Sequence, residues 1–418
     1  MKMIMRANLS REYPVVLARP HHSISRKSID TNALKVLYRL HRKGFKAYLV
    51  GGAVRDLLLG KVPKDFDIVT DARPGQIKRL FANGYLIGRR FRLVHIKFKG
   101  DRVIEVSTFR KTPDPGMDSN IGTRRTNTYG TPRQDAFKRD ITINALFYDI
   151  SNFSIIDYVS GLKDISEGVI RSIGDPNERY IEDPVRIWRV LRHAARTNFV
   201  IEDNTARAIY THRYRLILCS GARLFDEMTK DMVSGVSRVF CQLMGFYGVL
   251  PYIFGGIGTF FEQDAGAFKE LLDLLGVIDN AILSGKILSY EIMLSVLFWP
   301  WIKTTLVHLD KEGIDKSELL YEELCKNKMT ITIPKHYKAN IVKTGMILKR
   351  MLKALDTSQM KWSLRKRARY LDAATICYMI IHKRVPDEKD PFKVIFDQRW
   401  AGRKSLDATQ KIRHTRHR

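Results

Sequence analysis

The stretch that decides the fold is "LVGGAVRDLLLGKVPKDFDIVT", Leu49 to Thr70. It leaves an apolar strand, turns on Gly51 and Gly52, runs through a short helix and returns as a second strand bearing Asp65 and Asp67. Carboxylates at i and i+2 of a strand point to one face. Their charges repel unless cations lie between them. Two Mg²⁺ ions about 3.5–4 Å apart would turn that repulsion into a binding site, and Mg²⁺ prefers oxygen ligands shared with substrate phosphates. For an isolated Asp-x-Asp the plainer account is a solvated edge strand, or pairing with Lys61 and Lys64. Here the upstream turn argues otherwise. Gly51 and Gly52 permit close main-chain approach, and the N–H groups of a helix start can cradle phosphate. Arg55 could grip a phosphate or Asp56 in bidentate fashion. The segment is not a Walker A loop, because Arg55 stands in place of its first glycine and Val62 in place of its Ser/Thr.

Outward from this core the pattern is that of an α+β domain. Asp30 caps a helix, "TNALKVLYRLHRKG", with Leu34, Leu37 and Leu40 on one stripe and Gly44 as its stop. "KAYLV" reads as a strand, and "RPGQIKRLFANG" as a helix from Pro74 to Gly84. "FRLVHIKF" and "RVIEVSTF" alternate as two further strands. Glu105, on the second of them, can close the metal site if its strand neighbours that of Asp67. His95 reads as a packed or surface residue. A polar loop from Lys111 to Arg133 precedes "QDAFKRDITINALFYD", which passes from helix to strand.

The expected organisation is an extended basic arm over 1–29 and a mixed-sheet head with packed helices over 30–162. An all-α neck over 163–235 and an all-α body over 236–395 follow, then a disordered basic tail over 396–418. The apolar "YGVLPYIFGGIGTFF", Tyr247 to Phe261, is broken by Pro251 and four glycines and suggests a buried bend or loop.

Charge narrows the partner. Lys and Arg number 72 against 44 Asp and Glu, a formal net charge of +28, which favours a nucleic-acid partner through counterion release, with a membrane surface or solubility alone as the other accounts. The last twenty residues alone hold seven Lys/Arg against one Asp. Cys219, Cys241, Cys325 and Cys377 are too scattered for a zinc site or disulfide framework, which suits a reducing cytosol. The N-terminus does not read as a signal peptide, and no apolar run is long enough to span a membrane.

With these motifs assembled, the chain resembles the class II nucleotidyltransferases, the superfamily of bacterial poly(A) polymerases and CCA-adding tRNA nucleotidyltransferases. "LVGGAVRDLLLGKVPKDFDIVT" is similar to its signature, and "RQDAFKRDITINALFYD" to its second motif, with Arg139, Asp140 and Asn144 in the matching places. "DYVSGLKDI" supplies the turn of Asp157, Gly161 and Asp164, and "IEDPVRIWRVLRHAARTNF" resembles the neck helix. Two stretches, "HSISRKSIDTNALKVLYRLHRKGF" and "LIGRRFRLVHIKF", lean towards the poly(A) polymerase I branch, as does "ARLFDEMTKDMVSG" after the neck. The likeness fades after about residue 240.

The resemblance implies template-independent transfer of AMP from ATP to RNA 3′ ends in the cytoplasm, with Mg²⁺ held by Asp65 and Asp67. It leaves Glu105 and Asp140 both open as the third acid. Gly51, Gly52, Arg55, Arg139 and Asn144 are expected at the triphosphate and ribose. Glu182, Asp183 and Arg186 are expected at the base, with an i, i+4 ion pair as the competing explanation. Arg189 and Arg192 step along the same helix, towards phosphate or RNA or simply towards solvent. "LRKRARYL", Leu364 to Leu371, reads as a basic helix that either offers Arg365, Lys366 and Arg369 to RNA and Tyr370 for stacking, or is only a charged face with its aromatics in the core. Completion of tRNA with CCA, and RNA binding without catalysis, are the alternatives.

Overall fold

The computed structural model describes residues 14–88, 93–100, 102–111, 129–309, 316–357, 362–387 and 389–395. The first part of the expected arm, most of the 111–133 loop, the "RRFR" stretch and the basic tail lie outside these residues.

The chain divides into two compact units, one built from residues up to Arg179 plus Asn198–Arg207, the other from Tyr180–Thr197 plus Ala208 onward. The first unit contains one mixed sheet. Its elements are β1 (Val15–Leu17), α1 (Thr31–Arg42), β2 (Ala47–Val50), α2 (Gly52–Leu58), β3 (Asp67–Thr70), α3 (Pro74–Leu80), β4 (Gly84–Ile87), β5 (Leu93–Lys97), β6 (Val103–Thr108), α4 (Pro132–Lys138), β7 (Leu146–Asp149), β8 (Ile155–Asp157), α5 (Gly161–Glu167) and β9 (Val169–Ile170). Strand order is β1-β8-β7-β2-β3-β6-β5-β4. The β3–β6 pair is parallel and the other pairs of this sheet are antiparallel.

Local chemistry accounts for the elements that frame the site. Asp30 caps α1 by accepting from the main-chain N–H groups of Asn32 and Ala33 at 2.7 and 3.3 Å. The helix buries Ala33, Val36, Leu37 and Leu40 in the apolar cluster that also contains Leu49, Ile68, Val94 and Val106. All four residues of β2 are buried, as a central strand covered on both faces requires.

Four expectations need correction. β3 begins at Asp67, so Asp65 belongs to the preceding turn and is not a strand residue. The helix from Pro74 stops at Leu80, because Phe81 is buried in an extended conformation. Gly84 then opens β4, where a side chain would press on the Phe81 carbonyl at 3.0 Å and Val94 at 3.1 Å. The arm is not free over its whole length: β1 pairs antiparallel with β8, and Ile24 and Ile29 join the core. The boundary expected at 162 shifts to 179, with β10 (Val200–Ile201) returning to pair with β9.

The second unit is helical. It takes the end of α6 (Pro176–Glu182), α7 (Val185–Thr197), the second half of α8 (Asp203–His212), α9 (Gly221–Met232), α10 (Ser237–Phe246), α11 (Leu250–Phe254), α12 (Gly256–Gln263), α13 (Ala265–Leu283), α14 (Tyr290–His308), α15 (Lys316–Lys326), α16 (Lys335–Thr357) and α17 (Tyr370–His382). The apolar glycine-rich stretch, expected as a buried bend or loop, bends between two short helices and is buried at Leu250, Ile253, Phe254, Ile257 and Phe261. It turns at Gly255, φ +57°, where a Cβ would lie 1.9 Å from the Asn327 carbonyl oxygen. Among the described residues no helix is long and apolar enough to cross a membrane.

Candidate active site

Strand register builds the site in the first unit. Val50 on β2 lies opposite Asp67 on β3, and Asp67 lies beside Glu105 on β6. Gly51, the next residue after Val50, therefore emerges next to the Asp67 carboxylate. It adopts φ +73°, and a Cβ there would sit 3.6 Å from both Asp67 Oδ2 and Arg139 Nη1. The positive φ would strain any side chain at this point, while a Cβ would stand in ordinary contact with both groups, so it is the backbone conformation that calls for glycine.

Asp67 is reachable by water yet hemmed in by protein. Burial, then the charge of Glu105, push its carboxyl up to about 6; Arg139 pulls it down and Asp65 adds to the rise. The pair expected from the sequence is thus electrostatically coupled, although the two aspartates do not share a strand. Glu105 Oε2 also faces His95 Nε2 at 3.5 Å across the β5–β6 register. His95 is accordingly a neighbour of the acidic cluster.

Arg139 is held by Asp135, a carboxylate with no solvent exposure. Its Nε and Nη2 donate to Asp135 Oδ2 at 3.1 and 3.0 Å, and its Nη1 donates to the Asn144 carbonyl at 3.3 Å. Arg110 Nε donates to the other Asp135 oxygen at 3.0 Å. The arginines hold the Asp135 carboxyl below the usual range against the opposing effect of burial. Arg179 Nη2 ties down the Arg139 carbonyl at 2.8 Å. Arg55 is buried and donates to Asp56 Oδ1 at 2.9 and 2.8 Å and to Asn144 Oδ1 at 2.7 Å. Arg55 and Asn144 therefore act on one another, bracing α2 against the segment before β7. Asp140 is half-buried, and its carbonyl accepts from the Ile173 N–H.

Asp135, Arg110 and Arg179 were not foreseen. The i, i+4 spacing of Asp135 and Arg139 was a readable signal. Nothing in the sequence marks Arg110 or Arg179, which reach the cluster through the fold.

In the helical unit, Glu182, the last residue of α6, pairs with Arg186, near the start of α7, at 3.6 Å across the break between the two helices. Asp183 accepts both arms of the Arg223 guanidinium at 3.0 and 2.9 Å, a fork-to-fork pair that fixes the carboxylate plane. Arg186 is buried and Arg189 half-buried on α7. Arg192, expected at RNA or in solvent, is buried. Its Nε and Nη2 donate to Asp231 at 2.6 and 2.8 Å, and it also pairs with Glu227. Trp188 Nε1 donates to the same aspartate at 2.7 Å. Arg192 is an internal clamp because α9 presents two carboxylates to it.

"LRKRARYL" is not one helix. A 3₁₀ turn over Trp362–Lys366 ends, Arg369 takes φ +70°, and α17 starts at Tyr370. Arg365 pairs with Asp390 at 2.7 Å and Arg369 with Asp372 at 3.2 Å, while Lys366 is exposed. Tyr370 is buried and its hydroxyl donates to Asp390 at 3.0 Å, so it offers no stacking face.

Mg²⁺ fits this donor set. Among the described residues no three His, Cys, Asp or Glu side chains converge tightly enough to hold an ion alone. Asp67 is crowded by two acids in a partly desolvated corner. That is the environment for a hard cation using one or two carboxylates and completed by phosphate oxygens and water.

The sheet order and this corner define the class, a nucleotidyltransferase head joined to a helical region. A family profile described as "Poly A polymerase head domain" matches residues 47–171. A second, described as "Probable RNA and SrmB- binding site of polymerase A", matches residues 198–259. The solved tRNA nucleotidyltransferase complexed with a primer tRNA and an incoming ATP analog shares the fold. Its TM-score is 0.59 at 23% identity, over 90% of this chain and 99% of that one. The CCA-adding enzyme with ATP gives 0.61 at 21%, over 88% and 83%.

The chain belongs to the poly(A) polymerase I family. It is 37% identical to Poly(A) polymerase I of Escherichia coli O157:H7 over 78% of this chain and 73% of the relative. Against that of Salmonella typhimurium it is 41% identical, over 70% of this chain, and spans 64% of the relative's length. A CCA-adding enzyme of Staphylococcus epidermidis is 35% identical over 54% of this chain and 56% of its own length.

Proposed function

We propose that the protein is a template-independent poly(A) polymerase that transfers AMP from ATP to the 3′ end of RNA, acting in the cytoplasm. The observation that carries the reading is the corner where Gly51, Asp67 and Arg139 meet within about 4 Å. It offers an acidic metal seat, a side-chain-free approach and a guanidinium in one place.

In this reading Asp65 and Asp67 hold Mg²⁺, with Glu105 as the third acid. Glu105 is preferred over Asp140 because its register places it beside Asp67 and its charge raises the Asp67 carboxyl. Mg²⁺ held by Asp65 and Asp67 would supply a lowered pKa for the RNA 3′ hydroxyl and charge neutralisation for the leaving pyrophosphate. The 3′ oxygen attacks the α-phosphorus of ATP, the bond to the β-phosphate oxygen breaks, and pyrophosphate departs. Arg139, oriented by Asp135, faces the triphosphate, and Gly51 and Gly52 let the phosphates approach the main chain. Arg55 and Asn144 lock the ribose-facing segment as a pair. Glu182, Asp183 and Arg186 choose the base, with Arg189 at phosphate.

Completion of tRNA with CCA is the second reading, favoured by the fold shared with tRNA nucleotidyltransferases. Incubation of the protein with a generic RNA and each single nucleoside triphosphate separates the two. Long extension with ATP alone is expected; addition limited to two C and one A on tRNA overturns it.

A further inference from the structure

Along β4, β5 and β6 the sheet of the first unit has a covered side and an open side. Val94, Ile96, Ile104 and Val106 point into the core. The residues that alternate with them are not the polar set a solvated face ordinarily carries. Tyr85, Ile87 and Val103 stand on the open side and are all exposed, Tyr85 by 51%. Large apolar side chains left together in water mark a face that something else covers. Register ties this face to the acidic corner. Tyr85 lies opposite His95, His95 opposite Glu105, and Glu105 beside Asp67, one row across four strands. At about 4.8 Å per strand, Tyr85 stands about 10 Å beyond Glu105, on the side of Asp67 away from β2 and Gly51. Two contacts show that the side chains share the face. Glu105 Oε2 meets His95 Nε2 at 3.5 Å, and Lys97 Nζ lies over the Tyr85 ring, 4.9 Å from its centroid. The cation–π contact steadies the ring and leaves the tyrosine half open to water.

We propose that Tyr85 is a stacking platform for a base of the acceptor RNA just upstream of its 3′ end, a subsite that rests on the RNA-extending reading above and specifies how the acceptor enters. Two substrates must flank the acidic corner. Gly51 and Arg139 mark the β2 side as that of the triphosphate, which leaves the β6 side to the acceptor strand. A ring suits an acceptor of any sequence, because every base has a π-face. The charges agree with this direction. Both carboxylates of the row, Asp67 and Glu105, lie at its metal end, whereas β4 and β5 contain no acid and offer the exposed Lys97 to a phosphate. A stacked strand rises about 3.4 Å per nucleotide, so 10 Å spans about three nucleotides. The ring therefore meets a base inside the strand, not the terminal one whose 3′ oxygen reacts.

The test measures extension of a twenty-nucleotide oligo(A) by the full chain and three variants, with RNA varied at saturating ATP and then the reverse. Tyr85→Ala should raise KM for RNA about tenfold, near the low end of what one stacked base contributes, and leave kcat and KM for ATP within about twofold. Tyr85→Phe, which keeps the ring, should match the parent. Leu86→Ala, on the other side of the same strand and opposite Val94, controls for damage to β4 and should match it too. The position is read with acceptors carrying a single abasic nucleotide at successive places near the 3′ end. In the parent a gap about three nucleotides from the end should raise KM about tenfold. In Tyr85→Ala the same gap should cost nothing further, because the two losses are one contact. An unchanged KM for RNA in Tyr85→Ala overturns the subsite, as does an equal loss in Leu86→Ala. Additive losses from gap and variant place the base elsewhere and overturn it as well. A dimeric parent that Tyr85→Ala turns monomeric would give the face to a second copy of the chain, again overturning it. A parent that extends no RNA defeats the proposed function itself, whereas one that extends RNA and is indifferent to Tyr85 defeats only the subsite.

Discussion

In each unit an aspartate is buried against two arginines, and the two clusters have opposite consequences. Asp135 in the sheet unit has no exposure and carries Arg139 and Arg110. Asp231 in the helical unit is 3% exposed and carries Arg192, Arg196 and the Trp188 N–H. Around Asp231 the arginine is used up: Arg192 also pairs with Glu227 and donates to the Glu227 carbonyl, within helix packing. Around Asp135 the guanidinium continues past its anchor, and Nη1 stands 3.6 Å from where a Gly51 side chain would begin. The same ionic grammar thus makes a structural clamp in one place and, in the proposed function, a group presented to the nucleotide in the other. What separates them is a glycine, which keeps open the space that a side chain would otherwise occupy.

The largest expected effect comes from the group this open space serves. Asp67→Asn preserves shape and removes the metal-binding charge, so AMP transfer should fall by at least about a thousandfold. RNA affinity should stay within about twofold. Transfer above a tenth of the parent's, measured in single-turnover extension, would remove Asp67 from the chemistry.

The comparison itself is broken or sharpened by Asp135→Ala and Asp231→Ala. Each strands a buried arginine, and each should lose about 3–5 kcal/mol by urea unfolding. Their kinetics should diverge in the folded fraction. Asp135→Ala should raise KM for ATP about tenfold, because Arg139 loses its orientation, whereas Asp231→Ala should leave KM within about twofold. A similar KM rise in both would mean that the Asp231 cluster also tunes the nucleotide site.

How much of this was legible in the sequence depends on how far apart the partners lie. Gly51, Gly52 and the Asp-x-Asp sit within one strand-turn-helix-strand stretch, and spacing alone revealed them. The Asp30 cap and the α1 stripe were readable for the same local reason. Arg192 was misjudged because its partners, Glu227 and Asp231, are about 35 residues away on α9, beyond any helical periodicity. Arg223 stayed unseen for that reason too. β1 and β4 escaped notice because both are short, are edge strands, and carry exposed residues where alternation would be sought. Asp65 was placed on a strand because hydrogen bonding, which begins only at Asp67, leaves no trace in residue type.

Arg223 offers a smaller and more specific probe. Its fork holds the Asp183 carboxylate in one plane, and Asp183 is one of the three groups proposed to choose the base. Arg223→Ala should lower the preference for ATP over CTP about tenfold, roughly 1.4 kcal/mol of discrimination. Stability should change by less than about 1 kcal/mol, since this pair is largely open to water. An unchanged ATP/CTP ratio would show that Asp183 needs no such alignment.

The smallest effect concerns the cost of keeping Asp67 charged without metal. Its carboxyl titrates near 6, above the ordinary value of 3.8, so the folded chain binds a proton there more tightly than the unfolded chain does. That contribution is fully present below about pH 4 and is lost as pH rises through about 6. Above pH 6 the metal-free protein bears a carboxylate it would hold more cheaply protonated. Asp67→Asn should then be the more stable protein by about 1 kcal/mol, a figure discounted for the water that reaches this side chain. The advantage should shrink as pH falls from 6 towards 4, and it should also shrink when Mg²⁺ is added to the parent, whose carboxylate then gains a partner. Urea melts of both proteins at pH 4.5, 6 and 8, with chelator and with Mg²⁺, read this out. A stability difference that ignores both pH and metal would mean that Asp67 is not crowded by Glu105 and Asp65, and would leave the acidic corner without its electrostatic basis.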